Sequence, residues 1–364
     1  MPETLKRALI IGGGLAGTAA AIDLARAGAA PLLLERETQA HDKICGEFLS
    51  GEAVAALVAL GVDPVALGAV PITCVAINAG PRSVAARLPF PALSLTRRVL
   101  DEALLERAAC EGVAVQRGVS VRGLSGRIAH TSAGDISAPT LMMASGKHDI
   151  RGLARPQGPD QIGFKMYLRS ASLSRALAGT VAVTFFDGGY AGLQPVEGGR
   201  LNLCLLVDGA QYRDLGDWPS LWARLAREPG LAALLDAEQL LARPLAISRV
   251  PYGYLARAAA DGHWRLGDQA AVIPSFCGDG MGIALTSGRL AAEMAVAGAT
   301  ADDYQRTLIA RTRRPVRLAM AALALARHPA GRWAAMAGLG AVPGALALLA
   351  RATRVADPHA LAPA

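Results

Sequence analysis

Short apolar runs alternate with a helical stretch at the start of the chain. Ala8-Leu9-Ile10-Ile11 is one run, and Pro31-Leu32-Leu33-Leu34 is the next, ending at Glu35. Between them, Leu15 to Ala27 is Ala-rich and helix-forming, with Gly28 placed as its C-cap. The pattern predicts strand, turn, helix, strand. Ser50 is placed to cap a helix from Gly51 to Leu60, which Gly61 closes. Ile72 to Ala79 and Ser83 to Leu88 read as strands that interrupt the βαβ rhythm. A helix opening at Thr96-Arg97-Arg98 puts Leu100, Leu104 and Ala108 on one face. Val113 to Gln116 reads as the third parallel strand, Val121 to Ile136 as a small meander, and Leu141 to Met143 as a buried strand returning to the first.

Beyond Pro156 to Asp160 the pattern changes. Ile162 to Leu168, Val181 to Phe186 and Leu201 to Val207 predict a second sheet, with helix from about Ser220 to Asp236. Trp264 to Asp268 reads as a short strand ending in Gly-Asp, and Ile273 to Gly282 as a glycine-rich turn. Long helices are expected from about Ile283 to Ala297 and from Asp302 to Ala326. The expected fold class is α/β. Residues 1–70, 95–160 and 255–300 form a discontinuous Rossmann-like domain, and 71–94 and 161–254 form an inserted β-sheet domain that holds substrate. Residues 301–364 form a helical C-terminal region.

The first turn carries the chemistry. Gly12, Gly14 and Gly17 fill G-x-G-x-x-G. The first allows the turn, the second lets a pyrophosphate approach the backbone, and the third lets helix pack on strand. The N–H groups at the helix start then face the phosphates. Glu35 lies about twenty positions on, where an acid accepts hydrogen bonds from a ribose. A glycine-rich turn in any α/β unit would not need strand, glycines, helix, strand and acid in this order.

Composition narrows the classes. The chain has 364 residues, 52% hydrophobic and 18% charged, with mean hydropathy +0.32. Aromatics are only 4%, which argues against base-stacking surfaces and nucleic-acid partners. Net charge is +7, and residues 301–364 hold nine Arg and three Asp, with no Lys or Glu. That basic, apolar tail reads either as a peripheral contact with an anionic membrane face or as a solvated helical face. Ala334 to Ala350 is uncharged, but Gly338, Gly340, Pro343 and Gly344 interrupt it, so no spanning helix is expected. Cys45, Cys74, Cys110, Cys204 and Cys277 show no C-x-x-C spacing, and the six His are dispersed, so neither a disulfide framework nor a metal site is expected. With no signal peptide at the start, a cytoplasmic, possibly membrane-associated location is the expectation.

Three separated segments then combine: the Gly12–Gly17 turn with Glu35, the Arg97 helix start, and Gly267-Asp268 with the Gly278-x-Gly280 turn. Together, over roughly residues 5–300, they resemble the flavoproteins that include the p-hydroxybenzoate-hydroxylase-like monooxygenases and the geranylgeranyl reductases. The resemblance implies a GR2-type flavoprotein with FAD as cofactor. It implies that Gly12, Gly14, Leu15, Ala16 and Gly17 hold the pyrophosphate, with Glu35 and the adjoining Arg36 at the ribose. Arg97, with Arg98 as rival, reaches the phosphate or ribityl region, Asp268 the ribityl chain, Gly280, Met281 and Gly282 the flavin pyrimidine, and Val121 the adenine. Lys43-Ile44-Cys45-Gly46-Glu47 resembles the Cys-Gly-Glu segment of archaeal-type isoprenoid reductases, which implies Cys45, Gly46 and Phe48 as flavin neighbours. Cys277 is expected near Cys45. Where the hydroxylases carry an Asp-Gly motif, this chain has Ser145-Gly146, which leaves the electron donor open between NAD(P)H and another reductant. Lys147, His148 and Arg151 read as anion ligands or as a solvated loop, and no catalytic residue is assigned.

The expected function is an FAD-dependent oxidoreductase acting on an apolar aromatic, polyketide or lipid-like small molecule. Monooxygenation ranks first, by analogy with common uses of the fold. Reduction of isoprenoid C=C bonds is second, a non-redox cyclase third, and a membrane-surface protein with structural FAD fourth.

Overall fold

The computed structural model describes residues 7–257 and 261–355. Residues 1–6, 258–260 and 356–364, which fall within the expected segments 1–70, 255–300 and 301–364, lie outside the described residues. The chain opens with β1 (Ala8–Ile11), α1 (Leu15–Arg26) and β2 (Leu32–Glu35). Then come β3 (Phe48–Leu49), α2 (Gly51–Ala59), β4 (Val70–Ala79), β5 (Arg82–Ser94), α3 (Arg97–Cys110) and β6 (Ala114–Arg117). A meander of β7 (Val121–Ser125), β8 (Ile128–Thr131) and β9 (Gly134–Ser137) leads to β10 (Thr140–Met143). The next stretch holds β11 (Gln161–Arg169), α4 (Ala171–Ala176), β12 (Thr180–Phe186), β13 (Gly189–Val196), β14 (Arg200–Asp208), α5 (Gly209–Leu215) and α6 (Trp218–Leu225). After β15 (Glu238–Gln239), β16 (Leu245–Ser248) and β17 (Trp264–Arg265), the chain ends in α7 (Gly280–Val296), α8 (Ala301–Ala326), α9 (Pro329–Ala341) and α10 (Ala345–Ala352).

The first sheet is parallel, in the order β17-β10-β1-β2-β6. Its central strands are apolar throughout because both faces are covered. Ala8, Ile10, Leu33 and Met142 face α1, α3 and α7, while Leu9, Ile11, Leu34 and Met143 face the meander. Burying each Leu or Ile side chain contributes about 1.5–3 kcal/mol.

The second sheet has nine strands, in the order β15-β11-β14-β13-β12-β4-β5-β3, with β16 beside β11. The parallel β12–β4 pair joins strands from early in the chain to those of the later stretch. One face carries α4, α5 and α6 over an apolar core. The other looks toward the first sheet, and its register sorts it into two halves. One row runs Lys165, Cys204, Gly192, Val183, Ile77. The next holds Tyr167, Asn202 and Gln194, then Val181 paired with Val75. The floor is therefore polar under β11, β14 and β13, and apolar under β12 and β4.

Two local expectations change. The long helix starts at Gly280 rather than Ile283, because Gly282 lets its first turn close on Asp279 and Ser50. The helix expected over Ser220 to Asp236 breaks into α6 and a 3₁₀ segment at Pro229, which has no N–H to continue the ladder. Gly189 opens β13, where a Cβ would lie 2.0 Å from the Leu206 carbonyl oxygen of the neighbouring strand.

Candidate active site

A cleft runs between the two sheets, and the glycine turn forms one end of it. Gly12 has φ +111°, and a Cβ there would lie 2.4 Å from the Ala144 carbonyl oxygen. A Cβ on Gly17 would lie 2.0 Å from the Gly12 carbonyl oxygen, so this glycine sets how closely α1 packs on β1. No side chain caps α1 and no acid lies in its first turn, so its free N–H groups face the cleft at Gly14, Leu15 and Ala16. Two cations stand beside them. Arg97 makes a bidentate pair with Asp101 (Nε–Oδ1 2.6 Å, Nη2–Oδ2 2.9 Å), and Lys43 Nζ lies 2.7 Å from Oδ2. Burial works against the Asp101 charge, but Arg97 and Lys43 outweigh it and hold the carboxyl below the usual carboxylate range. Two cations on one carboxylate leave a net positive charge against an uncapped helix end, which suits a pyrophosphate.

Glu35 is buried behind this turn. Its carboxylate accepts from Gly13 N–H and Glu37 N–H, both at 3.0 Å. Arg36 is exposed, 3.1 Å from His148 Nε2. Burial, with the charges of Arg36, Lys147 and Arg155, pushes the His148 pKa down and keeps the ring neutral. The Lys147 loop is a built part of the cleft. Lys147 Nζ donates to Asp268 Oδ2 at 3.1 Å, while Arg155 donates to the Asp268 and Lys147 carbonyls at 2.6 and 2.9 Å. Arg151 is exposed and does not line the cleft.

The third side is the start of α7. Gly278 has φ +68°, and Asp279 caps no backbone N–H of its own helix. Gly280 and Met281 line the cleft. Asp279 turns instead to the C-terminal end: its Oδ2 accepts from Val355 N–H at 2.8 Å and its Oδ1 from Arg354 Nη1 at 3.3 Å. Arg354 also donates to the carbonyls of Gly278, at 3.0 Å, and Cys277. Burial, only partly offset by Arg354, raises the Asp279 carboxyl to about 6. Its folded pKa then exceeds its unfolded value, so the folded state holds the extra proton between about pH 4 and 6. Stability from this group is full below that window and falls by about 3 kcal/mol as pH rises through it. Denaturant titrations across the window should show that slope in the wild type and its loss in Asp279→Asn; equal slopes would contradict the assignment.

The floor holds a buried node around Glu47, a non-glycine residue at φ +60°. Such a conformation persists only where the surroundings over-determine it. Glu47 Oε1 accepts from Lys165 Nζ at 2.5 Å, Tyr167 Oη at 2.8 Å and Arg97 N–H at 2.8 Å. Its Oε2 has no hydrogen-bond partner among the described residues, and neither has buried Gln194 Nε2; both residues are among those that line the cleft. Burial raises the Glu47 pKa, against the pull of Lys165. Asn202 Nδ2 holds the Cys45 and Gly46 carbonyls at 3.0 and 2.9 Å, fixing that loop on the sheet. Cys45 and Cys277 both line the cleft, but the thiol whose charge environment includes Cys45 is Cys204. Burial pushes Cys204 and Cys277 each up to about 12, which leaves both as inert thiols.

The cleft thus gathers Gly14, Leu15, Ala16, Cys45, Gly46, Phe48, Arg97, Asp268, Gly280 and Met281. Gly12, Gly17 and Glu35 shape its walls from behind. Gly282 faces Asp279 and Ser50 rather than the cleft, because it sits one step round the helix. Val121 packs in the small core under the meander, and Arg98 pairs with Asp42 on the surface. Glu47's side-chain node, Lys165, Gln194 and Arg354 escape sequence reasoning. Lys165 alone leaves a trace, as a lysine inside the apolar run Phe164 to Leu168. Two uncapped helix ends, a glycine cradle, paired cations and two orphaned polar atoms on one cleft fit FAD, which would span from phosphates to ring system.

No protein-family model matches the chain. It is similar to a menaquinone reductase of Mycolicibacterium smegmatis, 27% identical over 81% of this chain and 77% of that one. It is also similar to a digeranylgeranylglycerophospholipid reductase of Methanopyrus kandleri, 26% identical over 83% and 80%. Among solved structures, a flavoprotein/dehydrogenase of Cytophaga hutchinsonii superposes with TM-score 0.74 at 18% identity, over 88% of this chain and 86% of that one. A flavin-dependent brominase gives 0.73 at 17%, over 92% of each.

Proposed function

We infer that this chain, an FAD-dependent oxidoreductase of the superfamily that holds the p-hydroxybenzoate-hydroxylase-like monooxygenases and the geranylgeranyl reductases, reduces carbon–carbon double bonds in an isoprenoid chain. The observation that carries this reading is the division of the cleft. Its charged lining residues, Glu47, Arg97, Lys147, Asp268 and Arg354, sit on the cofactor side and at the Gly278 turn. The far wall is built from Val75, Ile77, Leu88, Val181, Val183 and Leu349, with no charged side chain to hold or deprotonate a phenol. Such a wall suits a polyprenyl chain better than a phenolic ring. The reductases it resembles match over about four-fifths of the chain, whereas halogenase and hydroxylase likenesses, at 16–19% identity, speak for the fold alone. Reduction therefore moves ahead of monooxygenation.

FAD, when bound, supplies the hydride. Arg97, Lys43 and Lys147 would neutralise its phosphates, and the α7 N-terminus would favour negative charge on the nearby ring edge. The apolar wall excludes water from the reacting bond. Double-bond reduction also needs a proton. Glu47 is among the residues that line the cleft, its buried carboxyl has one oxygen without a hydrogen-bond partner among the described residues, and Lys165 and Tyr167 connect it to the sheet. We assign the hydrogen-bonded Glu47–Lys165–Tyr167 node, rather than Glu47 alone, to hold that proton.

Incubating reduced holoenzyme anaerobically with a polyprenyl quinone should add two hydrogens per double bond and no oxygen. No reduced product under these conditions, with a product carrying an oxygen atom from O₂ once air is admitted, would restore the monooxygenase reading. Val181→Phe, which narrows the apolar half, should cut turnover of long chains at least about tenfold while flavin content stays unchanged, with an overpacking cost of about 1–3 kcal/mol. Unchanged turnover would move the substrate elsewhere.

A further inference from the structure

The C-terminal helices have two apolar sides. Inward, Leu346 and Leu349 of α10 line the cleft. Outward, Trp333 (60% exposed), Val342 (56%) and Leu348 (70%) face solvent, with Leu325 at the end of α8. The pair is not loosely placed. Arg332 anchors α9 to Asp187, and Arg354 anchors the end of α10 to Asp279. The outward apolar face is thus a feature of the docked state.

Its surroundings are basic. The Arg82 guanidinium stacks 4.9 Å from the Trp333 ring centroid, and Arg327 and Arg351 are exposed beside the patch. Arg314, Ala321 and Leu325 share one exposed stripe of α8. From Tyr304 to Val355 the chain has no Asp or Glu. Among the described residues no single helix is long and apolar enough to cross a membrane. α9 and α10 reach that hydropathy together, but they bend by 112° at Val342 to Gly344, and their inner side is already committed to the cleft. An apolar patch with an interfacial Trp and an arginine rim lies on a bilayer rather than in it.

We propose that the α9–α10 hairpin docks this protein on the surface of an anionic lipid bilayer. The docking stands independently of the reaction. Its further consequence, that an isoprenoid chain enters the cleft beside α10 directly from the membrane, rests on the function proposed above.

Full-length holoprotein would be floated with vesicles of phosphatidylglycerol and phosphatidylcholine, and with phosphatidylcholine alone. The proposal expects strong flotation with the anionic vesicles and weak flotation with the neutral ones. Trp333→Asp/Leu348→Asp should lower partitioning at least tenfold, and Arg327→Gln and Arg351→Gln roughly fivefold each, with flavin content unchanged. Flotation of the Asp variant at the wild-type level would overturn the proposal. So would a wild-type dimer in light scattering that the Asp variant breaks, without flotation, since a second copy would then cover the patch. Docking without double-bond reduction would sink the reductase reading alone, and reduction of a detergent-dispersed substrate without docking would sink this one alone.

Discussion

Gly12→Ala should strip the purified protein of FAD. The added Cβ would lie 2.4 Å from the carbonyl oxygen and 2.8 Å from the carbonyl carbon of Ala144. Both are backbone atoms held by the parallel β1–β10 register, where Ile11 pairs with Met143. The φ of +111° is also one that alanine rarely adopts. The turn must move out of its strained position, and cofactor binding must then restore it at a cost of about 1–3 kcal/mol. That corresponds to roughly 5- to 150-fold weaker binding. Gly338→Ala in α9 is the control. An added Cβ there meets nothing within 4 Å and Gly338 does not line the cleft, so less than about a twofold loss is expected. Fluorescence titration of apoprotein with FAD separates the two. Equal affinity for both variants would remove Gly12 from the cofactor site.

Lys165→Met should destabilise the fold by about 3–5 kcal/mol, because it strands the Glu47 carboxylate in a fully buried place. Glu47 and Lys165 are both inaccessible to solvent, and the pair is 2.5 Å apart. Glu47→Gln/Lys165→Met should recover most of the loss, since no unpaired charge then remains. Burial has already raised the Glu47 pKa. Acid therefore protonates the stranded carboxyl readily, and the penalty of Lys165→Met should shrink as pH falls. Denaturant unfolding of the four species at neutral and acidic pH tests this. A single-variant cost below about 1 kcal/mol would mean that Glu47 is not held as the charged partner of Lys165.

What the sequence makes legible is what is local. The Gly12 to Gly17 turn, the Ser50 cap on Ala53 N–H and the Thr96 start of α3 each depend on residues within a few positions. The apolar runs of β1, β2 and β10 declare a parallel sheet because both faces are covered. The rest of the site depends on distant meetings. Lys165 reaches Glu47 across 118 residues, and Arg354 reaches Asp279 across 75. No spacing rule links such partners. Arg354 is the clearest case: counted along the chain it belongs to a basic tail, yet in the fold it is buried against the Gly278 turn. Gly282 shows the same limit from another side, since a Cβ on it would meet Asp279 and Ser50, a packing demand that no motif spacing announces.

The central claim is that this cleft holds FAD against an apolar chain whose double bonds it reduces. Anaerobic single turnover tests it most directly: the FAD-loaded protein is reduced, mixed with a polyprenyl substrate, and followed by flavin absorbance. The account predicts that the flavin reoxidises without oxygen, one double bond being lost per flavin, and that Glu47→Gln slows this step by roughly 10²-fold or more. A flavin that stays reduced until O₂ is admitted, with substrate unchanged before that point, would contradict it.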